Sequence, residues 1–144
     1  MNNYKLRKNN LIDQNKFYLF YDGDCGFCNF WVHWILKNDS KDQFLFASLQ
    51  GKLGQEFLKQ RGLDQKNLNT IYLWKPEKYY LNKSNAAITI AEKLGGIYSL
   101  ASIFRIIPRF LRDWVYDCIA RNRHRLIKNS CAILTPEQQK NFID

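Results

Sequence analysis

Short apolar runs and helical patterns alternate along the first part of the chain. Residues 17–21 and 44–49 are almost continuously apolar, which is typical of buried strands. Asp22-Gly23-Asp24 marks a turn after the first run. From Cys25 to about Lys37, apolar residues recur at helical spacing, at Phe27, Phe30, Trp31, Trp34 and Ile35. The pattern predicts a β-α-β unit, and its single crossover implies that the two strands are parallel.

The middle of the chain predicts a second helix followed by a β-hairpin. Apolar residues at 53, 57 and 58 mark the helix, which ends near Gly62. Residues 69–74 and 79–81 predict two strands, and Lys75-Pro76-Glu77-Lys78 predicts the turn that joins them. Because a hairpin joins antiparallel strands, the sheet is predicted to be mixed.

The last part of the chain is predicted to be helical. Ser84 is a candidate N-cap for a third helix, which runs to about Leu94 and is ended by Gly95-Gly96. From Ser99 to about Lys128 the pattern is again helical, and Pro108 should break or kink it. The whole order predicts an α/β fold, a mixed four-stranded sheet flanked by helices with a helical C-terminal extension.

Length and composition indicate one domain. The chain has 144 residues, of which 46% are hydrophobic and 15% aromatic, enough to bury a core. We expect a single domain over residues 16–128, with a core of residues 16–96 and a helical extension of residues 97–128. Residues 1–15 and 129–144 are predicted to be tails. The formal net charge of +9 suits anionic partners but does not choose among them.

The sequence contains neither a signal-peptide pattern nor a transmembrane pattern. The first ten residues are polar, and Arg105 interrupts the best apolar stretch, from Gly95 to Phe104. We therefore expect a cytoplasmic location, where thiols stay reduced. Four cysteines in such a compartment are not a disulfide scaffold, so a close pair indicates redox chemistry or metal binding.

Cys25-Gly26-Phe27-Cys28 is a Cys-x-x-Cys motif between a predicted strand and a predicted helix. Unpaired N–H groups and the positive end of the helix dipole stabilise a thiolate in the first helical turn, which lowers its pKa. Cys25 is therefore predicted to be the attacking thiol. Cys28 lies one turn further on and is predicted to resolve the mixed disulfide.

A zinc half-site is the alternative for this pair. Structural zinc sites use four ligands, commonly two such pairs, and no second pair is present. Cys118 is predicted to be a small buried residue and Cys131 a thiol in the tail, where a third redox role is left open. His33 is predicted to be a partly exposed helix residue rather than a catalytic one. We expect no metal and no cofactor.

The residues around the motif resemble a known family. Residues 21–28, Tyr-Asp-Gly-Asp-Cys-Gly-Phe-Cys, are similar to the signature of the thiol–disulfide oxidoreductase DCC family. Ser84-Asn85-Ala86 resembles its Ser-x-Ala at a helix start, and Tyr116-Asp117 and residues 120–123 resemble its C-terminal segment. The resemblance implies a thioredoxin-like fold and disulfide oxidoreductase activity on protein or small-molecule disulfide and thiol substrates.

The chain has no proline at the position of thioredoxin's cis-proline. Thioredoxins place a cis-proline just before the third strand, whereas Asn69-Thr70 stand there in this chain, and its prolines are at 76, 108 and 136. The backbone that docks the substrate is therefore predicted to be supplied differently. This argues against thioredoxin's broad activity on protein disulfides.

The two carboxylates beside the motif have more than one interpretation. Asp22 and Asp24 are similar to the Asp-x-Asp loop of haloacid-dehalogenase-type phosphatases, but the downstream acidic pair of that mechanism is missing. Asp24 is otherwise a candidate helix N-cap. Within a thiol enzyme, Asp22 is a candidate proton relay for Cys28.

The predicted C-terminal helices are basic, with arginines at 105, 109, 112, 121, 123 and 125. We expect their apolar face to pack on the sheet and their basic face to be solvated. Nucleic-acid binding is not expected, and weak contact with a membrane surface is left open. Two functions remain, an enzyme that cycles Cys25 and Cys28, and a thioredoxin-like binding module with regulatory cysteines.

Overall fold

The computed structural model describes residues 13–23, 26–66, 70–126 and 141–143. It contains five strands, four α-helices and one 3-10 helix in these ranges. In chain order they are β1 (Phe17–Tyr21), α1 (Gly26–Asn38), β2 (Phe44–Ser48), α2 (Lys52–Gln60), β3 (Tyr72–Lys75), β4 (Tyr79–Asn82), α3 (Lys83–Leu94), the 3-10 helix (Gly96–Ile106), α4 (Arg109–Leu126) and β5 (Phe142–Ile143).

The strands form one mixed sheet in the order β4-β3-β1-β2-β5. β1 and β2 are parallel, while β3 is antiparallel to both β1 and β4, as the β-α-β unit and the hairpin predicted. The predicted number of strands was wrong, because Phe142 and Ile143, assigned to a tail, pair in parallel with β2. A two-residue strand has too little local pattern to be recognised without its partner.

The two faces of the sheet carry separate hydrophobic cores. One core packs against α2, and we call it the closed face; it consists of Tyr18, Phe20, Ala47, Leu49, Leu53, Phe57, Leu58, Tyr72 and Trp74. The other packs against α1 and α3, and we call it the open face; it consists of Phe17, Leu19, Tyr21, Val32, Ile35, Phe44, Phe46, Leu73, Ala86 and Ile90. Alternate residues of β1 therefore serve opposite cores.

The N-cap of α3 is Asn82 rather than the predicted Ser84. The helix begins at Lys83, so Ser84 lies inside its first turn, buried, and does not act as the N-cap. Its hydroxyl donates a hydrogen bond to Oδ1 of Asp113 in α4. The Asp113 carboxylate also accepts a backbone hydrogen bond from Ser84, so α4 supplies the capping oxygen.

The C-terminal helices leave much apolar surface exposed. The predicted break occurs at Pro108, between the 3-10 helix and α4. The expected packing of their apolar face on the sheet was wrong for the 3-10 helix, which has no buried residue. Ile97 and Ile106 of this helix are 75% and 83% exposed, and Phe110 of α4 is 73% exposed. Within the described part of the chain, no helix has the length and apolar character needed to cross a bilayer.

Candidate active site at the start of α1

The loop that follows β1 leads directly into the helix that carries Cys28. Asp22 and Gly23 form the described part of this loop, and Asp22 is only 7% exposed. Asp24 and Cys25 lie outside the described residues, so the predicted N-cap and the predicted attacking thiol have no described geometry. Cys28 is half-buried and lies in the first turn of α1, which begins at Gly26.

The Gln50 side chain holds this loop from the neighbouring strand. Its Nε2 donates to Oδ1 of Asp22 at 2.5 Å, and its Oε1 accepts the backbone N–H of Gly23 at 2.9 Å. The Ser48 hydroxyl donates to the same Oε1 at 2.6 Å. On the other side, Nδ2 of Asn29 in α1 donates to the Gly23 carbonyl at 3.1 Å. One amide therefore fixes both the Asp22 carboxylate and the backbone beside it.

Sequence analysis did not identify Gln50, although a signal for it exists. The predicted β1 and β2 are parallel, so the residues that follow them lie at the same edge of the sheet. The register pairs Tyr21 with Ser48, which places Gln50 beside Asp22. A polar side chain two residues beyond the second of two parallel strands was therefore a candidate neighbour of the motif.

Gly23 is required by the close approach of this loop to β2. A Cβ atom at Gly23 would lie 2.7 Å from the Ser48 Oγ and 3.4 Å from the Gln50 Oε1. Contacts under 3.0 Å do not occur for real side chains, so any larger residue would displace the Ser48–Gln50 pair. The small residue between the two aspartates thus allows the Gln50 contacts to form.

Cys28 faces the aromatic ring at the end of β1. Burial raises the pKa of the Tyr21 hydroxyl, and the negative charge of a Cys28 thiolate raises it further. The phenol therefore stays protonated and neutral when the thiolate forms. The structure brings Cys28 and Tyr21 together on the open face of the sheet.

An apolar cavity of about 370 Å³ lies beside Cys28. Its walls come from β1, α1, the start of β3, α3 and α4, and none of the described residues that line it is charged. The lining residues are Leu19, Tyr21, Cys28, Trp31, Val32, Trp34, Ile35, Ile71, Ala87, Ile90, Ala91, Tyr116, Ile119 and Ala120. The volume falls at the lower end of the range for small-molecule sites, roughly 300–1,000 Å³.

A tyrosine from α4 meets the backbone at the start of β3. The Ile71 N–H donates to the Tyr116 hydroxyl at 3.0 Å, and both residues line the cavity. This is the position where the missing cis-proline predicted a different backbone arrangement. Here the side chain of Tyr116 closes the cavity wall against that backbone.

Polar contacts join α3 and α4 at and beside the segments that carried the family resemblance after the motif. Lys83 forms an ion pair with Asp117 at 3.1 Å, and the Arg112 Nη1 donates to the Asn85 Oδ1 at 3.0 Å. Together with the Ser84–Asp113 hydrogen bond, these contacts hold α4 against the start of α3. Both helices are walls of the cavity, so these polar contacts set its width.

Neither His33 nor Cys118 is among the described residues that line the cavity. His33 is half-buried, and its ring lies 6.1 Å from that of Phe142; burial lowers the pKa of His33. Cys118 is half-buried rather than buried as predicted, because it lies on α4 with the Arg121 Nη2 3.6 Å from its sulfur. Cys131 lies outside the described residues, as does the His124 side chain.

Comparison with known proteins identifies the family. A family model described as DCC1-like thiol-disulfide oxidoreductase matches residues 19–129. The chain is 35% identical over 127 residues to the uncharacterized protein YuxK of Bacillus subtilis, covering 87% of this chain and 92% of YuxK. It is 26% identical over 113 residues to the DCC family protein At1g52590, chloroplastic, of Arabidopsis thaliana, covering 78% of this chain and 65% of that protein. No solved structure matches it. The family match extends from β1 through α4, and the chain belongs to the DCC1-like thiol-disulfide oxidoreductase family.

Proposed function

We propose that this protein exchanges electrons between thiols and disulfides through Cys25 and Cys28, with Cys25 attacking and Cys28 resolving. The observation that carries the proposal is Cys28 in the first turn of α1, directly after a buried strand and beside an apolar cavity. A helix N-terminus stabilises thiolates, and the cavity gives a substrate access to Cys28. A reducing compartment such as the cytoplasm fits this cycle.

The exchange has two steps that balance in atoms and electrons. The Cys25 thiolate attacks one sulfur of the substrate disulfide, forming a mixed disulfide, and the other substrate sulfur leaves as a thiolate that takes a proton from water. The Cys28 thiolate then attacks the Cys25 sulfur. The Cys25–Cys28 disulfide forms, the second substrate sulfur leaves, and two electrons have passed to the substrate. A dithiol donor reverses these steps.

Asp22 is proposed to accept the Cys28 proton in the second step. Its carboxylate is buried at the loop that leads into α1, and Gln50 holds it in place. A buried carboxylate fixed beside the helix start is suited to take a proton from a thiol that is not fully exposed to water. Asp22→Asn should therefore slow resolution and flatten its dependence on pH, while leaving the first attack unchanged.

Single-turnover kinetics on cysteine variants test the function. Cys28→Ser should accumulate a mixed disulfide with the substrate, because the attacking thiol remains and the resolving thiol is gone. Cys25→Ser should form none at a comparable rate, and Cys118→Ser is the matched control that should behave like the wild type. Equal trapping by Cys25→Ser and Cys28→Ser would overturn the order of attack. Bound zinc in the purified protein would overturn the redox function.

A binding role is the second candidate, and one observation favours it. The exposed apolar residues of the 3-10 helix continue into α4 at Phe110 and Trp114. Residues 96–126 carry six arginines and two aspartates, so this surface is also basic. Apolar and aromatic side chains among arginines suit the interface of an anionic bilayer, and the like charges oppose pairing of two copies.

Sedimentation with vesicles tests this second candidate. Binding is expected to phosphatidylglycerol-containing vesicles and to fall at high salt, and Ile106→Glu should abolish it. Tyr79→Glu, an exposed aromatic in β4, is the matched control. Equal binding to pure phosphatidylcholine vesicles, or a concentration-dependent dimer without lipid, would contradict a bilayer as the partner.

A further inference from the structure

We infer that the cavity beside Cys28 selects an uncharged aliphatic disulfide or dithiol as the exchange partner. This inference rests on the proposed function, since it names the substrate class of the same thiol pair. It adds that the reacting sulfurs are carried on an aliphatic arm that enters the cavity. A charged tripeptide such as glutathione is then a poor partner.

The chemistry of the cavity lining favours an uncharged ligand. The fourteen lining residues within the described ranges include no Asp, Glu, Lys, Arg or His. Their polar groups are the Cys28 thiol, two indoles and two phenols, and the Tyr116 hydroxyl already accepts the Ile71 N–H. A carboxylate or ammonium group entering this space would lose its water without gaining a charged partner. Burial of an aliphatic chain in this space is instead favourable, because its apolar surface is removed from water.

The position of Cys28 supports the same substrate class. Cys28 is itself a wall residue, so a ligand in the cavity lies against the first turn of α1. The volume of about 370 Å³ suits a compact ligand rather than a folded protein segment. A small ring disulfide with an uncharged aliphatic arm fits both the size and the apolar lining. Lipoamide has this chemistry and is the probe of choice.

The cavity lining includes two tryptophans that can report ligand binding and one alanine that is suited to substitution. Trp31 and Trp34 line the cavity, so a ligand there should change tryptophan fluorescence. Ala87 lies at its exposed rim on α3, and a leucine there should fill the opening without crowding the core. Ala101, in the 3-10 helix and outside this lining, is a matched position for the same substitution.

The test compares reduction of the oxidised protein by dihydrolipoamide, by dithiothreitol and by glutathione. Each reductant gives two electrons to the protein disulfide and becomes a disulfide itself; one dithiol molecule or two glutathione molecules are consumed. We expect dihydrolipoamide to react at least tenfold faster than dithiothreitol, whose short chain carries hydroxyls. Ala87→Leu should remove this advantage, whereas Ala101→Leu should change neither rate.

Octanamide, which has the aliphatic arm but no sulfur, provides a readout independent of the variants. It should change the tryptophan fluorescence and slow dihydrolipoamide without slowing dithiothreitol. Equal rates for the two dithiols, with no effect of octanamide, would overturn the substrate class while the redox function stood. Failure of the oxidised protein to react with any of the three thiols would instead overturn the proposed function itself.

Discussion

The closed and open faces of the sheet are built from the same strands but packed differently. On the closed face, the Phe20 and Phe57 rings stack with their centroids 4.4 Å apart, and the Arg61 guanidinium lies over the Phe57 ring. On the open face, the helices leave a cavity of about 370 Å³, and Trp31 in its wall is 42% exposed. Both faces have a buried core, and the open face adds a cavity with a partly exposed wall, so we assign ligand access to the open face.

The largest expected effect tests the closed face. Phe57→Ala removes a fully buried ring and should lower the free energy of unfolding by about 3–5 kcal/mol. Trp31→Ala, on the open face, should cost less than about 2 kcal/mol, because much of that ring is already in water. Urea unfolding of both variants measures the difference. Equal losses would contradict the division between the two faces.

Gln50→Ala, at the edge of the sheet, is expected to have an intermediate effect on the free energy of unfolding. Gln50→Ala removes hydrogen bonds to Asp22 and Gly23 and should cost about 1–2 kcal/mol. It should also slow resolution by Cys28, because the Asp22 carboxylate loses a positioning contact. The exposed residue Gln14 is the matched control, and Gln14→Ala should change neither quantity. Unchanged resolution in Gln50→Ala would argue against Asp22 as the proton acceptor.

The sequence predicted those parts of the fold that depend on residues close together in the chain. The β-α-β unit, the hairpin and the break at Pro108 each follow from neighbouring residues, and all were predicted. Contacts between distant residues were missed: β5 pairing with β2, and the hydrogen bond between Ser84 of α3 and Asp113 of α4. Neither has a local pattern, because each partner is defined only once the chain has folded.

The candidate site was also predicted only in part. The position of Cys28 followed from its motif, since a strand must end and a helix begin around it. The Gln50 clamp and the cavity did not, because they depend on which elements become neighbours in space. The exposed 3-10 helix was missed for the opposite reason: its apolar residues predict burial, and no local rule shows that none of the described residues buries them.

The smallest effect concerns the contact that sets the width of the open face. Burial acts to raise the pKa of Asp113, but the hydrogen bonds from Ser84 and the charges of Arg109 and Lys83 outweigh it, so the pKa is lowered. A lowered folded pKa contributes stability above the unfolded value, near 3.8, which is lost as the pH falls through the folded pKa. Asp113→Asn should therefore cost about 1 kcal/mol at pH 6.

Urea unfolding of Asp113→Asn and the wild type between pH 6 and pH 2.5 checks this sign. The two stabilities should converge below pH 3.8, where the wild-type carboxyl becomes protonated. A gap that stays constant over this range would show that the Asp113 charge contributes nothing and that the variant acts through packing alone.

The proposed activity depends on a reversible disulfide between Cys25 and Cys28. Equilibrating the protein in redox buffers of known potential, alkylating the free thiols and mapping the products by mass spectrometry tests it most directly. We expect one two-electron transition, with Cys25 and Cys28 protected together in the oxidised state and Cys118 alkylated throughout. A transition that instead joins Cys118 to Cys131, or the absence of any transition, would contradict the account.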